Sequence, residues 1–180
     1  MANPRVGPGE DALVRALYDQ AVAAYGPALT RVVRAYEPDA ERRRDVLQEV
    51  HLALWQSLSR FDGRCALGTW VYRVAHNTAT SVCIRRQRNR LQLVCIEDLD
   101  VPGPLPDRER AVDEGRALER LLALVHRLRP LDRQVMLLYL EGLDAQATSD
   151  IVGLTAVNIA TKVHRLKKVL TQQLLEGGPV

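Results

Sequence analysis

The apolar positions of this 180-residue chain recur at helical spacing, and strand signals are scarce. Val and Ile fall inside 3.6-residue patterns rather than alternations. Two helical stretches are predicted first, over 11–25 and 27–36, with Gly26-Pro27 as a break or kink between them. Pro38-Asp39 opens a long helix over 39–58, in which Leu47, Val50, Leu54 and Leu58 share one face. Ser59–Gly68 reads as a loop, with Asp62-Gly63 as its turn. Thr69 is placed to N-cap the next helix, which runs to Arg90.

The pattern then lapses. Residues 91–113 hold Pro102, Pro104 and Pro106 without a helical period and read as an acidic, extended linker, although Leu91, Leu93, Val94 and Ile96 are apolar enough to pack. Helical spacing resumes over 113–128, where Leu118, Leu121, Leu122, Val125 and Leu128 line one side, and Pro130 stops it. A second helix is predicted over 131–141, with Leu131, Val135 and Leu138 inward. A short helix over 144–152, a left-handed turn at Gly153 and a Thr155-capped helix over 156–175 follow. The predicted fold is all-α. Two small helical domains, 1–90 and 114–180, are joined by the acidic, proline-containing linker 91–113, and the second carries a helix-turn-helix.

Composition narrows the class. Hydrophobic residues make up 47%, enough for packed cores. No apolar run approaches the roughly 20 residues of a membrane span, so no membrane insertion is expected. The first twenty residues lack the apolar region of a secretion signal. Three unevenly spaced cysteines, Cys65, Cys83 and Cys95, do not make a disulfide framework, so a cytoplasmic location is expected.

The net charge of +3 hides an uneven distribution. Residues 31–90 carry twelve Arg against six acids, and residues 91–120 carry four Arg against eight acids. Four of the seven Lys/Arg of 121–180 lie within Lys162–Lys168. Two basic blocks therefore flank an acidic middle. Such patches raise the local concentration of polyanions, although solvated helix faces have the same composition.

Three segments carry candidate chemistry. In the last helix Ile159, Val163, Leu166 and Leu170 form a buried stripe, while Asn158, Thr161, Lys162, Arg165 and Lys168 lie opposite, with Thr155 at the start. That polar side mixes groups that read base edges with groups that bind phosphate, as a major-groove recognition helix requires. An ordinary amphipathic C-terminal helix shares the pattern. In TWVYRVAHNTATSVCIRRQRNR (Thr69–Arg90), Arg73, His76, Asn77 and Thr80 fall on one face, and Arg85, Arg86, Arg88 and Arg90 crowd the end. Hydrogen-bonding groups at one end and cations at the other suit bases and phosphates, with Trp70 expected mainly in the core. Arginines at a helix C-terminus are also favoured without any ligand. In RRRDVLQEVHLALW (Arg42–Trp55), Asp45, Gln48, Glu49 and Leu52 share a face, with Trp55 close by. An exposed Leu and part of a Trp beside carboxylates suggest a protein-binding surface. A solvated acidic face with one stray Leu is the simpler alternative.

Catalytic patterns are missing from the sequence. His51, His76, His126, His164 and the cysteines form no HxxxH, CxxC or HExxH spacing, and there is no phosphate loop or G-x-S-x-G elbow. No enzyme activity, metal or cofactor is expected. His51 falls on the apolar face of its helix and is read as a packed histidine, whereas His126 and His164 are read as surface or boundary positions.

The three segments, in this order, resemble the extracytoplasmic-function (ECF) sigma factors of bacterial RNA polymerase. DVLQEVHLALW is similar to that family's core-binding helix, TWVYRVAHNTATSVCIRR to its −10-reading helix, and Leu128–Leu170 to its −35-reading helix-turn-helix. The resemblance covers about 11–90 and 114–172. It implies a transcription initiation factor without catalytic residues or cofactors. Asp45, Gln48, Glu49, Leu52 and Trp55 would meet the β′ clamp helices of core polymerase. The loop Arg60–Gly68, with Arg60, Phe61 and Asp62, would hold a flipped promoter base. Arg73, His76, Asn77, Thr80, Arg85, Arg86 and Arg88 would contact the −10 region. Thr155, Asn158, Thr161, Lys162, Arg165 and Lys168 would enter the −35 major groove, with that domain on the β flap. The implied partners are core polymerase, promoter DNA and a separate anti-sigma protein.

The chain departs from the family pattern in places. His51 stands at a usual Phe, Ser81 at a frequent Asp, and Thr148-Ser149 at a usual Ile-Ala. The alternative reading is a stand-alone helix-turn-helix regulator, which would leave 42–90 as scaffold.

Overall fold

The sequence is read as two helices before Tyr36, but a single helix, α1 (Pro8–Tyr36), runs through Pro27. Pro27 lies on the exposed side of α1, as does Ala23, whose carbonyl the proline leaves without an amide partner. Water can bond that carbonyl, while Ala21, Ala28 and Leu29 on the other side are buried and hold the axis. The computed structural model describes residues 8–93 and 113–176, with side chains over 11–86 and 118–175. The remainder of the predicted linker and Cys95 lie outside the described residues.

Asp39 caps α2 (Ala40–Leu58), its carboxylate accepting from the amides of Glu41 at 2.9 Å and Arg42 at 3.2 Å. The buried stripe is Val46, Val50, Leu54 and Leu58, with Leu47 at its edge. In the following loop the Asp62 carboxylate accepts from the Arg64 amide, and Gly63 adopts φ 74°, as a turn here requires. The helix α3 (Leu67–Leu93) begins two residues before Thr69, so Thr69 is not its cap, and it continues three residues past Arg90. Gly68 permits the start of α3 to close on α1. A Cβ there would stand 2.6 Å from the Tyr25 hydroxyl.

The second half comprises α4 (Asp113–Arg127), α5 (Pro130–Leu140), α6 (Ala145–Val152) and α7 (Ala156–Glu176). The helix-turn-helix forms as the pattern predicts. Asp144 caps α6, Gly153 turns the chain at φ 78°, and the Thr155 hydroxyl accepts from the Asn158 amide at 3.3 Å. Leu118 and Leu131 are exposed rather than inward. Both stand in the first two turns of their helices. Thr148 is buried, and the Ser149 hydroxyl donates to the Leu154 carbonyl, so the two polar departures are spent inside the turn.

The chain is all-helical among its described residues, with α1, α2 and α3 packed as one bundle and α4–α7 as a second. The bundles meet where α3 lies on α6 and α1 on α4, and buried side chains of both join one apolar cluster.

Candidate functional site

Three helix faces collect the candidate residues. The first is the outer face of α2. Asp45, Gln48 and Glu49 are exposed, and Leu52 keeps 52% of its surface in water. Trp55 is 37% exposed, and its ring meets Tyr18 edge-on at 5.2 Å. The Tyr18 hydroxyl shares a hydrogen bond with His51 Nδ1 at 3.0 Å. His51 is half-buried at the flank of the stripe, and burial lowers its pKa. This face therefore presents two apolar side chains among carboxylates, with Trp55 fixed from behind by α1.

The second face is on α3, and here the structure corrects the sequence reading. His76 does not present itself beside Asn77. It is fully buried, its Nδ1 is 3.1 Å from the Tyr36 hydroxyl, and burial pushes its pKa down to about 3. Among the described residues, its Nε2 is the buried side-chain nitrogen or oxygen with no hydrogen-bond partner. The physical reason is that α3 is packed by α1, α2 and α6 together, so its buried arc is wider than one stripe and takes in His76. Thr80 is half-buried and hydrogen-bonds Tyr36, whose pKa is raised chiefly by burial. Asn77 remains exposed. Arg73 is half-buried and donates to the Asp150 carbonyl of α6.

Nearby, Arg60 and Asp62 are exposed, while Phe61 packs edge-on against Trp70 at 5.5 Å. Trp70 is half-buried and donates through Nε1 to the Ser57 hydroxyl at 3.0 Å, in line with its expected core role. Arg85 and Arg86 reach back to α2. Arg85 stands 3.8 Å from Glu49, and Arg86 bridges Glu37 at 3.1 Å and Asp45 at 3.3 Å. Glu37 is a buried carboxylate that the sequence reading missed. Its signal is modest, an acid at a helix end before Pro38. The side chain of Arg88 lies outside the described residues.

The third face is on α7. Ile159, Leu166 and Leu170 are buried and Val163 half-buried, as predicted, while Thr155, Asn158, Thr161, Arg165 and Lys168 are exposed. Lys162 departs from expectation. It is half-buried, with its ammonium 2.7 Å from Asp132 of α5. Asp132 is buried and also has Arg129 at 3.1 Å and Arg165 at 3.8 Å. Burial would raise its pKa, but the Lys162 and Arg129 contacts outweigh that and lower it. Lys162 thus anchors α7 to α5 and leaves Arg165 and Lys168 as the outward cations of this set.

His126 is half-buried, with a lowered pKa due first to burial and then to Arg133, and His164 is exposed. Among the described residues, no cluster of His, Cys, Asp and Glu could hold a metal, and no helix is long and apolar enough to cross a membrane.

Comparison with known proteins matches the two bundles separately. Residues 21–90 match the family described as Sigma-70 region 2, and residues 118–170 that described as Sigma-70, region 4. The RNA polymerase sigma factor NccH of Alcaligenes xylosoxydans xylosoxydans is 24% identical over 91% of this chain and 89% of its own length. The ECF RNA polymerase sigma factor SigX of Bacillus subtilis is 26% identical over 76% of this chain and 72% of its own. In fold, the chain is similar to the sigma factor RpoE of Bartonella quintana, solved with the anti-sigma factor NepR. That match has a TM-score of 0.66 at 20% identity, over 90% of this chain and 98% of that one.

Proposed function

Because the chain belongs to the ECF sigma factors of the sigma-70 family, we propose that its three helix faces divide the work of promoter-directed initiation. The function itself is that of an RNA polymerase sigma factor, a DNA-binding initiation factor rather than an enzyme. In our reading residues 1–90 form the unit that binds polymerase and the −10 element, 91–113 the linker, and 114–180 the −35 unit. The exposed face of α2, Asp45, Gln48, Glu49, Leu52 and Trp55, docks on the β′ clamp helices. The loop residues Arg60, Phe61 and Asp62, with Arg73, Asn77, Thr80, Arg85, Arg86 and Arg88, serve the −10 region. His76 is excluded by its burial. Thr155, Asn158, Thr161, Arg165 and Lys168 serve the −35 major groove, with Lys162 beneath them as a support, and the second bundle rests on the β flap. A sigma factor of this kind acts in the cytoplasm and is restrained by an anti-sigma protein, as RpoE is seen with NepR.

The observation that carries this reading is the partly exposed Leu52–Trp55 pair among carboxylates, on the same chain as a helix-turn-helix with outward Asn158 and Arg165. A stand-alone regulator has no use for the first of these. Reconstituted transcription with core polymerase tests it. Initiation from specific genomic fragments is expected, and none from any fragment would refute it.

On α7 the roles should separate. Arg165→Ala and Lys168→Ala are each expected to weaken promoter binding across sequences, reducing the salt slope by roughly one unit. Asn158→Ala should instead relax the preference at one position, at a cost of about 1–3 kcal/mol in discrimination. Binding titrations at several salt concentrations on matched and mismatched sites check both. An unchanged preference in Asn158→Ala would place the reading face elsewhere.

A further inference from the structure

Glu141, the residue after α5, stands where the two bundles meet, and its side chain is only 9% exposed. Arg31 of α1 grips it through two nitrogens, Nε to Oε1 at 2.6 Å and an Nη to Oε2 at 2.5 Å. The Tyr72 hydroxyl of α3 donates to the same carboxylate at 3.4 Å. One acid of the second bundle is thus held by two helices of the first. Burial, and then the carboxylate itself, push the Tyr72 phenol up to about 12, so it stays a neutral donor. Two more contacts cross the same seam. Arg73 donates to the Asp150 carbonyl, and the Arg133 guanidinium lies over the Tyr36 ring at 5.4 Å.

Closure has a consequence for DNA. Arg73, assigned above to the −10 region, is spent on α6. Elements near −10 and −35 are about 25 base pairs apart, roughly 85 Å along B-DNA. A closed body of this length has a radius of gyration of about 16 Å, too small to reach both.

We propose that Glu141, held by Arg31 and Tyr72, is a latch that keeps the free chain closed and masks Arg73 until the bundles separate. The consequence for promoters rests on the function proposed above, whereas the latch does not. Its physical basis is an asymmetry. In the closed form the nearly buried carboxylate needs Arg31, because a buried charge without its partner is strongly unfavourable. In the open form water solvates it. Arg31→Ala should therefore tip the balance toward opening. Adding Glu141→Gln should tip it back, since no unpaired charge is then buried and the Tyr72 hydroxyl still finds an acceptor.

Small-angle X-ray scattering on the full chain reads the equilibrium. Modification by phenylglyoxal, followed by mass spectrometry, reads the access to Arg73. Arg31→Ala is expected to raise the radius of gyration by several ångströms and to speed Arg73 modification several-fold, with the helical circular dichroism retained. The double variant should return both toward wild type. Should Arg31→Ala lose its helical signal, Glu141→Gln alone, which removes the ion pair without a cavity, should still expand the chain, though less. The latch is overturned if neither Arg31→Ala nor Glu141→Gln alone expands the chain, or if the double variant is as expanded as Arg31→Ala. If scattering and labelling move as expected while wild type and variants all fail to initiate transcription with core polymerase, the latch stands and the sigma-factor role falls.

Discussion

With Asp45 replaced by arginine and Leu52 by glutamate, the chain is expected to lose capture of core RNA polymerase by at least tenfold and to direct no detectable initiation. The expected size follows from where the two side chains stand. Leu52 exposes half its surface and lies on the α2 face that also carries Trp55. A few residues at the centre of an interface carry most of its energy, each costing about 2 kcal/mol or more when lost, and introducing charge onto the buried contact face adds further cost. The same exposure protects the fold. Neither residue belongs to the buried stripe of Val46, Val50, Leu54 and Leu58, and Arg86 keeps Glu37 as a partner when Asp45 is lost. The melting temperature should shift by only a few degrees, and binding of the −35 duplex through α7 should be unchanged. Co-purification with tagged core polymerase and a run-off assay check this. Undiminished capture by a folded double variant would move the docking surface away from α2.

The helices were largely legible in the sequence because each has an apolar stripe and several have a local start or stop signal. Asp39, Gly153 and Thr155 act as read. The order of three segments made the family legible too. What escaped was whatever depends on how many neighbours a helix has. Periodicity assigns α3 one buried side, but α1, α2 and α6 all pack on it, and His76 is enclosed as a result. Lys162 shows the same limit. Its position on α7 matches a phosphate-binding cation, yet the buried Asp132, thirty residues earlier, draws it inward. A local pattern contains neither the third helix nor the distant carboxylate. Pro27 errs in the other direction, since its break signal is local and the buried residues on either side, Ala21, Ala28 and Leu29, override it.

The burial of His76 predicts an acid sensitivity of measurable size. The imidazole titrates near 6.5 in an unfolded chain and is pushed down to about 3 in the fold, chiefly because burial disfavours the cation. Protonation would also require acceptors at both ring nitrogens. Nδ1 has the Tyr36 hydroxyl, which already hydrogen-bonds Thr80, and Nε2 has no partner among the described residues. The unfolded chain therefore takes up a proton that the folded chain refuses. The stability involved is fully present above about pH 6.5 and is lost progressively as the pH falls toward 3, amounting to about 3 kcal/mol by pH 4. His51 and His126 are depressed as well and act in the same direction, so His76 must be isolated by comparison. His76→Leu keeps an apolar side chain of similar volume in the site and leaves Tyr36 its Thr80 contact. Between pH 7 and 4 the unfolding free energy from urea titrations should fall by about 3 kcal/mol less in the variant than in wild type. Equal losses in the two proteins would mean that the ring is reached by water in solution, and with it the face of α3 that Asn77 shares.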